Sequence, residues 1–245
     1  LKKGITLDTI EFRYPKAKQL ALQVDRLEIK SGSFVGITGK TGSGKSTLID
    51  ILIGLLNPSS GKIKIDDEDM NENLQHSWKS SIGYVPQFSF MADDTIIKNI
   101  ALGLTTEEID IKRIKKVCEI SKISDFIENE LPRKYETKIG ENGVRLSGGQ
   151  RQRLSIARAL YRDPNILVLD EATNALDSLT EQSILNSLLE KENVTIILIT
   201  HRLSTLKKCD EIIFLDKGKI VDKGKYENLI VQNQTFKNLS SAEKN

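Results

Sequence analysis

The sequence predicts an α/β fold with a mainly parallel sheet, an N-terminal antiparallel β subdomain and an inserted α-helical subdomain. The last third carries two apolar runs, NILVLD (165–170) and VTIILIT (194–200), on either side of a helical segment at 178–191. Such strand–helix–strand units with apolar strands are typical of a parallel sheet covered on both faces. The first thirty residues alternate apolar and polar side chains, which indicates half-buried antiparallel strands.

From about Thr95 to Lys134 the sequence shows little strand signal, and helical spacing dominates. We therefore predict a single domain over residues 1–245. In it, residues 1–89 and 162–245 form the core, and about 90–161 form the helical subdomain.

In the first third, strands precede and follow one helix. ITLDTIEFRY and LALQVDRLEI predict the antiparallel strands, and the short apolar SFVGIT predicts a buried strand. STLIDILIGLL is apolar on most sides, which predicts a helix, and NPSSG (57–61) predicts a turn. KIKID and IGYVP predict two more strands.

The middle and last thirds add helices and a hairpin. TTEEIDIKRIKKVCEIS predicts a helix that begins with a capping box formed by Thr105 and Glu108, and ISDFIENEL predicts a second helix. The helix at 178–191 begins with another predicted capping box, Ser178 with Glu181. EIIFLDKGKIVDKG predicts a hairpin, KYENLI a short helix, and the tail to Asn245 a loosely ordered segment.

Composition excludes several classes of protein. The 36 basic and 34 acidic residues give a net charge of +2, and the lack of clustered basic charge argues against a dedicated nucleic-acid-binding protein. Cys118 and Cys209 have neither metal-ligand spacing nor a disulfide framework, which predicts buried thiols in a cytosolic compartment. No apolar run approaches the roughly 18–20 residues that span a bilayer, and the N-terminus lacks a signal-peptide pattern.

The glycine-rich stretch GKTGSGKSTL lies between the apolar strand and the apolar helix, and it matches G-x-x-x-x-G-K-[ST]. Glycines let backbone N–H groups converge on a phosphate, and the helix N-terminus adds positive potential. Lys45 would reach the β- and γ-phosphates, and the Ser46 hydroxyl would bind Mg²⁺. The motif predicts a P-loop NTPase core that binds ATP or GTP. The predicted nucleotide-binding residues are Gly39, Lys40, Thr41, Gly42, Ser43, Gly44, Lys45, Ser46 and Thr47.

Two carboxylates follow the apolar strand in ILVLDEAT. Ligands gather at the carboxyl ends of strands in open parallel sheets. This position predicts that Asp170 holds Mg²⁺ through water and that Glu171 polarises the attacking water. Alone, the pair would also fit a helix N-cap; beside the phosphate loop, the catalytic interpretation is favoured.

A second glycine-rich helix start lies in LSGGQRQRLSIARAL (146–160). Ser147 is a good N-cap, and Gly148 and Gly149 leave backbone N–H groups open to an anion. On local grounds an ordinary capped helix would also fit. However, LSGGQ, with Gln150, lies between the phosphate loop and ILVLDE, and it resembles the signature motif of ATP-binding cassette (ABC) ATPases.

The resemblance covers nearly the whole chain and adds four residues. FRYP resembles the loop whose aromatic residue, here Tyr14, stacks on adenine, and YVPQ resembles the Q-loop, with Gln87. NALD resembles the D-loop, with Asp177, and LITHRLST resembles the switch region, with His201. Seven motifs in the order typical of the family make a specific match.

The resemblance implies a site shared between two copies of the chain that pack head to tail. Each ATP would lie between 39–47 of one copy and 147–150 of the other. Glu171 would be the general base, His201 would position the γ-phosphate and water, and Lys45 and Gln87 would complete the catalytic set. The implied metal ligands are Ser46, Gln87 and Asp170. Gln87 would also relay the nucleotide state to the helical subdomain.

Two details resemble exporters rather than importers. GEN (140–142), just before the signature, resembles the exporter X-loop, and the segment from LITHRLST to IVDKG resembles exporter cassettes. This resemblance implies the motor domain of an exporter on the cytoplasmic face of the inner (plasma) membrane, as the detached C-terminal part of a half-transporter whose transmembrane domains lie outside this chain. MADDTIIKNIALG faintly resembles flippases of lipid-linked saccharides. Two residues depart from the usual pattern of the family. Lys40 follows the first glycine of the phosphate loop, and Asn174 stands before ALD, where Ser is more usual. Neither departure removes a phosphate or metal ligand.

Three other functions remain as alternatives. A stand-alone importer ATPase subunit would normally lack the GEN segment. A soluble cassette ATPase of DNA repair or translation would need a coiled-coil insertion or a second cassette. A P-loop small-molecule kinase would have no need of LSGGQ.

Overall fold

The computed structural model describes residues 1–191 and 193–242. The chain divides into two compact units, the first made of Leu1–Ile82 with the chain from Asn193 onward, and the second of Gly83–Glu192. Within the described ranges, no helix combines the length and the apolar character that crossing a membrane requires.

The first unit is built on a mixed sheet. Its strands are β1 (Gly4–Phe12), β2 (Leu22–Lys30), β3 (Phe34–Gly39), β4 (Ser60–Ile65), β5 (Glu68–Asp69), β8 (Thr195–Ile199), β9 (Glu211–Asp216) and β10 (Lys219–Gly224). They lie in the order β5-β4-β1-β2-β10-β9-β3-β8. β1 pairs antiparallel with β2 and β4, whereas β3 pairs parallel with β8 and β9. The predicted combination of antiparallel strands and a parallel core is confirmed.

The helices of the first unit are α1 (Lys45–Leu52), α2 (Glu72–Ser80), α8 (Leu203–Leu206), α9 (Tyr226–Gln232) and α10 (Gln234–Ala242). Most of α1 is buried, as the apolar sequence predicts. The Trp78 indole of α2 is buried and donates to the carbonyl of Leu52 at 2.8 Å. Trp78 therefore satisfies a carbonyl at the end of α1, where the helix itself supplies no donor.

The second unit is mainly helical. It contains β6 (Ile82–Val85), α3 (Ile96–Ile100), α4 (Ile111–Ile120), α5 (Ser124–Asn129), α6 (Gly148–Tyr161), β7 (Ile166–Asp170) and α7 (Ser178–Leu189). α6 packs against both α3 and α4. The guanidinium of Arg158, on α6, donates to the carbonyls of Asn99 and Phe90, both at 2.7 Å. Burial lowers the pKa of this guanidinium. These bonds tie α3, at Asn99, and the segment before it, at Phe90, to the last turn of α6.

Two predicted helix starts are wrong. Glu108 does accept the Thr105 N–H at 2.8 Å, but this closes a turn, and α4 begins only after Asp110, whose carboxylate accepts the N–H groups of Lys112 and Arg113. A carboxylate that accepts two amides is the stronger N-cap because it also faces the positive end of the helix dipole.

The helix at 178–191 is capped by a different residue than predicted. Asp177 is the N-cap of α7 and accepts the N–H groups of Leu179 and Thr180. Glu181, the predicted partner of Ser178, is buried and accepts the Thr173 hydroxyl at 2.8 Å. Because its carboxylate is engaged by Thr173, Glu181 does not form the predicted capping box with Ser178.

Two further differences concern the tail and the segment before β6. The tail forms α10, whose Phe236 packs edge-on against Phe214 and Tyr226 at centroid distances of 5.6 and 5.8 Å. The apolar contacts outweigh the polar character of this segment; residues 243–245 lie outside the described residues. α2 has no counterpart among the sequence-based expectations.

The two cysteines are buried, as predicted. Burial raises the pKa of both the Cys118 and the Cys209 thiols to about 12. Both are therefore protonated and poorly reactive at neutral pH.

Candidate functional site

The predicted site residues fall into two sets, one in each unit. The first unit contains the phosphate loop (39–47), Tyr14 and His201. The second unit contains Gln87, Asp170, Glu171, the signature residues 147–150 and Asp177.

The phosphate loop begins at the carboxyl end of β3 and ends at the start of α1. At two of its glycines, any other residue would strain the backbone. Gly39 has φ +151°, and a Cβ there would overlap the carbonyl oxygen of Leu215 and lie 2.7 Å from the Ser43 hydroxyl. Gly44 is the N-cap of α1, with φ +102° in the left-handed region, and it offers no side chain to cap the helix. The first N–H groups of α1 have no partner within the helix, so this end is built to accept an anion.

Two polar side chains of the loop, those of Lys45 and Ser43, are buried. Lys45 is 8% exposed, and its ammonium donates to the carbonyls of Gly39 and Lys40 at 2.8 and 3.0 Å. Ser43 is 3% exposed, and within the described part of the chain its hydroxyl has no hydrogen-bond partner. Because burial of polar groups is costly unless they are satisfied, an ammonium and a hydroxyl enclosed in a loop of this kind fit a site for phosphate.

A cavity of about 560 Å³ lies beside the loop. Tyr14 lies on one side, Gly42, Gly44 and Thr47 line the loop side, and Gly218 lies on the strand side. The Tyr14 hydroxyl is 3.1 Å from the Thr47 hydroxyl oxygen. An aromatic ring next to a phosphate loop, with a cavity of this size, fits a nucleoside phosphate whose base stacks on the ring.

His201 lies at the same edge of the sheet as the phosphate loop. β8 is parallel to β3, with Ile199 opposite Ile37, so the residues that follow both strands emerge side by side. His201 follows β8 and is exposed. The structure therefore brings the predicted switch histidine and the phosphate loop to one sheet edge within the first unit.

In the second unit, the carboxylates at the end of β7 contact residues within and just after β6. Gln87 Nε2 donates to Glu171 Oε2 at 2.9 Å. The Tyr84 hydroxyl donates to Asp170 Oδ2 at 3.4 Å. Glu171 has φ +50°, a left-handed backbone that is uncommon outside glycine and that often occurs at functional sites. Gln87 and Glu171, both identified from the sequence as candidate site residues, are thus hydrogen-bonded to each other within the second unit.

The signature segment begins α6 with a complete capping box. The Ser147 hydroxyl accepts the Gln150 N–H at 3.2 Å, and Gln150 Oε1 accepts the Ser147 N–H at 2.8 Å. The predicted N-cap is confirmed. Gly148 and Gly149 form the first helical turn, where backbone N–H groups point out of the helix end.

Contacts of the D-loop connect the signature helix to the carboxylate cluster, and local sequence patterns did not predict them. Gln152 Oε1 accepts the Ala175 N–H at 2.9 Å, and Asn174 Nδ2 donates to Glu171 Oε2 at 3.0 Å. Asp177 caps α7, and hydrogen bonds from the Thr180 side chain and backbone lower the pKa of its carboxyl. The only signal in the sequence was the unusual Asn at position 174.

An apolar surface lies next to Gln87. Phe88 and Phe90 are 86% and 63% exposed, and Val144, just after GEN, is 76% exposed. Gly143 lies next to Met91, because a Cβ on Gly143 would come within 3.2 Å of the Met91 side chain. The two exposed segments are therefore neighbours in the second unit.

The chemistry of the predicted metal ligands fits Mg²⁺. Ser46, Gln87 and Asp170 supply a hydroxyl, an amide and a carboxylate, and oxygens of these kinds are what Mg²⁺ prefers. Ser46 is exposed on the first turn of α1. Because Gln87 Nε2 faces Glu171, its amide oxygen is the atom that remains for a cation.

Comparisons with known proteins identify the family. Residues 22–174 match the family model described as ABC transporter. The chain belongs to the ABC transporter family. Over 240 residues it is 40% identical to the lactococcin-G-processing and transport ATP-binding protein LagD of Lactococcus lactis, a match that covers 98% of this chain and 34% of LagD. It is 36% identical over 241 residues to an ATP-dependent lipid A-core flippase of Cupriavidus pinatubonensis, covering 97% of this chain and 40% of the flippase.

A solved structure of a bacterial Atm1-family ABC exporter with ATP bound matches the whole chain, with a TM-score of 0.92 and 36% identity, and the match covers 42% of that exporter chain. The chain thus spans about two fifths or less of the relatives described here. Membership of the family confirms the predictions of ATP binding and ATPase activity, and these relatives favour the exporter assignment over the importer.

Proposed function

We propose that this chain is the motor domain of an exporter, which hydrolyses ATP to drive movement of a cargo through transmembrane domains. The observation that carries this proposal is the Glu171 carboxylate. It directly follows the metal-type carboxylate Asp170 and is held by a side-chain amide from Gln87. A nucleotide-binding module without hydrolysis would not need a second, positioned carboxylate there.

In this proposal the phosphate loop binds the triphosphate. The N–H groups of 42–47 donate to phosphate oxygens, and the Lys45 ammonium exchanges the carbonyls of Gly39 and Lys40 for the β- and γ-phosphates. Tyr14 stacks on the base. Because the loop carbonyls already hold the ammonium in place, little side-chain ordering is needed when the phosphate arrives.

Glu171 accepts a proton from the attacking water, which raises the nucleophilicity of the water oxygen. His201 donates to the γ-phosphate and positions the same water. Ser46, Gln87 and Asp170 would hold Mg²⁺, which would supply charge neutralisation on the phosphate oxygens.

We propose that a second copy of the chain completes each site. Ser147, Gly148, Gly149 and Gln150 of that copy bind the γ-phosphate through the N-terminus of α6 and the Ser147 hydroxyl, and Asp177 lies at the contact between copies. The capped helix start with two glycines supports this role, because Gly148 and Gly149 have no side chain to cover the N–H groups at the start of α6.

The transmembrane partner is proposed to bind the apolar surface formed by Phe88, Phe90 and Val144. Exposed aromatic side chains at nearby positions of the chain, such as Phe88 and Phe90, are a typical feature of protein–protein contacts. We propose that the chain works at the cytoplasmic face of the inner membrane as part of a membrane transporter. For the cargo, the names of the ATP-dependent lipid A-core flippases favour a lipid, whereas LagD is named for the processing and transport of lactococcin G.

The substitution Glu171→Gln tests the hydrolytic role. It should retain ATP binding and lower the rate of ATP hydrolysis by at least about a hundredfold, because the amide cannot accept the proton of water, and it should favour an ATP-bound dimer. Glu130→Gln, an exposed acid at the end of α5, makes the same charge change and should hydrolyse ATP at the wild-type rate. Hydrolysis by Glu171→Gln near the wild-type rate would contradict the proposal.

A further inference from the structure

Asn174 lies on a turn that returns the chain to Glu171. The Asn174 N–H donates to the Glu171 carbonyl at 3.2 Å, and the Asn174 side-chain Nδ2 donates to Glu171 Oε2 at 3.0 Å. Gln87 Nε2 donates to that same oxygen at 2.9 Å. Two amides from separate segments, one after β6 and one after β7, therefore converge on one carboxylate oxygen.

We propose that Asn174 is a positioning residue that holds the carboxylate of Glu171 in the orientation in which it accepts a proton from water. This inference rests on the proposed function of Glu171. Hydrogen bonds from N–H groups to a carboxylate are stronger than bonds between neutral groups. Two of them on one oxygen restrict rotation of the carboxylate about its last side-chain bond. A general base must lie within hydrogen-bond reach of the proton that it accepts, in a fixed geometry. The restricted rotation of the Glu171 carboxylate should therefore raise the rate of ATP hydrolysis.

The backbone of the turn does not depend on the Asn174 side chain. The turn is closed by backbone bonds from Asn174 to Glu171 and from Leu176 to Thr173, at 3.2 and 3.0 Å. Gln152 Oε1 holds the Ala175 N–H at 2.9 Å. The Asn174 side chain is exposed, so its removal deletes little packing. A substitution at 174 therefore tests the bond to Glu171 rather than the fold of the loop.

The test uses Asn174→Ala and Asn174→Asp in the full-length protein, with kcat and KM for ATP hydrolysis as the readout. Asn174→Ala should lower kcat about tenfold, the effect of one hydrogen bond to a charged group, with KM changed less than about twofold. Asn174→Asp keeps the shape of the side chain but replaces the donor with a carboxylate that repels Glu171. It should therefore lower kcat more than Asn174→Ala does.

A role in packing alone predicts the opposite order, because Asp fills the same volume and Ala does not. Asn129→Asp, at an exposed position of α5, makes the same charge change and should retain the wild-type kcat. Equal kcat values for wild type, Asn174→Ala and Asn174→Asp would overturn the inference, as would a milder effect of Asn174→Asp than of Asn174→Ala.

The Glu171→Gln background separates this inference from the proposed function. If Glu171→Gln hydrolyses ATP like the wild type, the general-base role fails and the inference fails with it. If Glu171→Gln is inactive but both Asn174 variants are fully active, only the positioning role fails. If Glu171 is the general base and Asn174 positions it, adding Asn174→Ala to Glu171→Gln should not lower the residual rate of ATP hydrolysis further, because the two residues act as one unit.

Discussion

The substitution Ser147→Ala separates two roles that the signature serine combines. In the structure, its hydroxyl accepts the Gln150 N–H and caps α6. In the proposed mechanism, the same hydroxyl also contacts the γ-phosphate of a nucleotide bound by the other copy. Ala removes both interactions but leaves the reciprocal bond from the Ser147 N–H to Gln150 in place.

The two roles predict effects of different size. Loss of an N-cap side chain costs about 1 kcal/mol, which for a domain of this length corresponds to a fall in Tm of about 2–4 °C. Loss of a hydrogen bond to a charged phosphate costs about 1.5–3 kcal/mol, or about ten- to hundredfold in the rate of ATP hydrolysis. A cap alone would therefore change stability and leave the rate at temperatures well below Tm almost unchanged.

Thermal unfolding and steady-state ATP hydrolysis at 25 °C, measured on the same preparations, distinguish these cases. Asp110→Ala is the matched control, because it removes the N-cap of α4 in the same unit and has no proposed contact with nucleotide. It should lower Tm by at least as much as Ser147→Ala and retain the wild-type rate. If Ser147→Ala and Asp110→Ala hydrolyse ATP at equal rates, the reasoning about the signature serine is refuted.

Three further predictions concern the first unit. Lys45→Ala should weaken ATP binding at least about a hundredfold by calorimetric titration, because the phosphates lose their charged partner; wild-type affinity would argue against the role of Lys45. Gly39→Ala should abolish the rise in Tm that ATP gives the wild type, because the new Cβ overlaps the Leu215 carbonyl; an unchanged rise would contradict the account of the loop. Partial burial alone would raise the pKa of the Asp66 carboxyl, but backbone hydrogen bonds from Lys3, Gly4 and Lys2 outweigh it and lower this pKa. Since a lowered pKa stabilises the fold above the unfolded value near pH 4, Asp66→Asn should lower the free energy of unfolding at pH 7 by at most about 1 kcal/mol. This difference should vanish as the pH falls below 4, and a difference independent of pH would contradict the assignment.

The strands and the phosphate loop are predictable from sequence because local chemistry determines them. SFVGIT is mostly apolar and supplies most of the fully buried β3, and the glycines after it occupy backbone conformations that other residues rarely adopt. The hairpin of β9 and β10 likewise follows from two strand-like runs joined by a turn at Lys217 and Gly218. In these places residue type and spacing leave few alternatives.

Helix starts are less predictable because several residues compete for the same N–H groups. Thr105 with Glu108 and Ser178 with Glu181 both satisfy the capping-box pattern. In both cases a nearby aspartate caps the helix instead, Asp110 in α4 and Asp177 in α7. The choice depends on tertiary contacts, such as the burial of Glu181 against Thr173, which spacing does not encode.

The contacts around Glu171 could not be predicted from local patterns either. The motifs identify Gln87 and Glu171 as site residues, but their hydrogen bond joins positions 84 residues apart. The bond from Asn174 depends on a tight turn with Glu171 in a left-handed conformation. The sequence shows only that Asn174 is unusual at this position of the D-loop, whereas the structure shows that its side chain donates to Glu171.

In the proposed mechanism, each ATP is hydrolysed in a site that a second copy of the chain completes. This shared site is tested by mixing the full-length variants Lys45→Ala and Ser147→Arg, each expected to be inactive alone. In a mixed dimer, one site combines an intact phosphate loop with an intact signature. An equal mixture should therefore recover up to about a quarter of the wild-type ATPase rate if the copies exchange freely. No activity above that of the separate variants, at any mixing ratio and with exchange of copies verified, would contradict the claim.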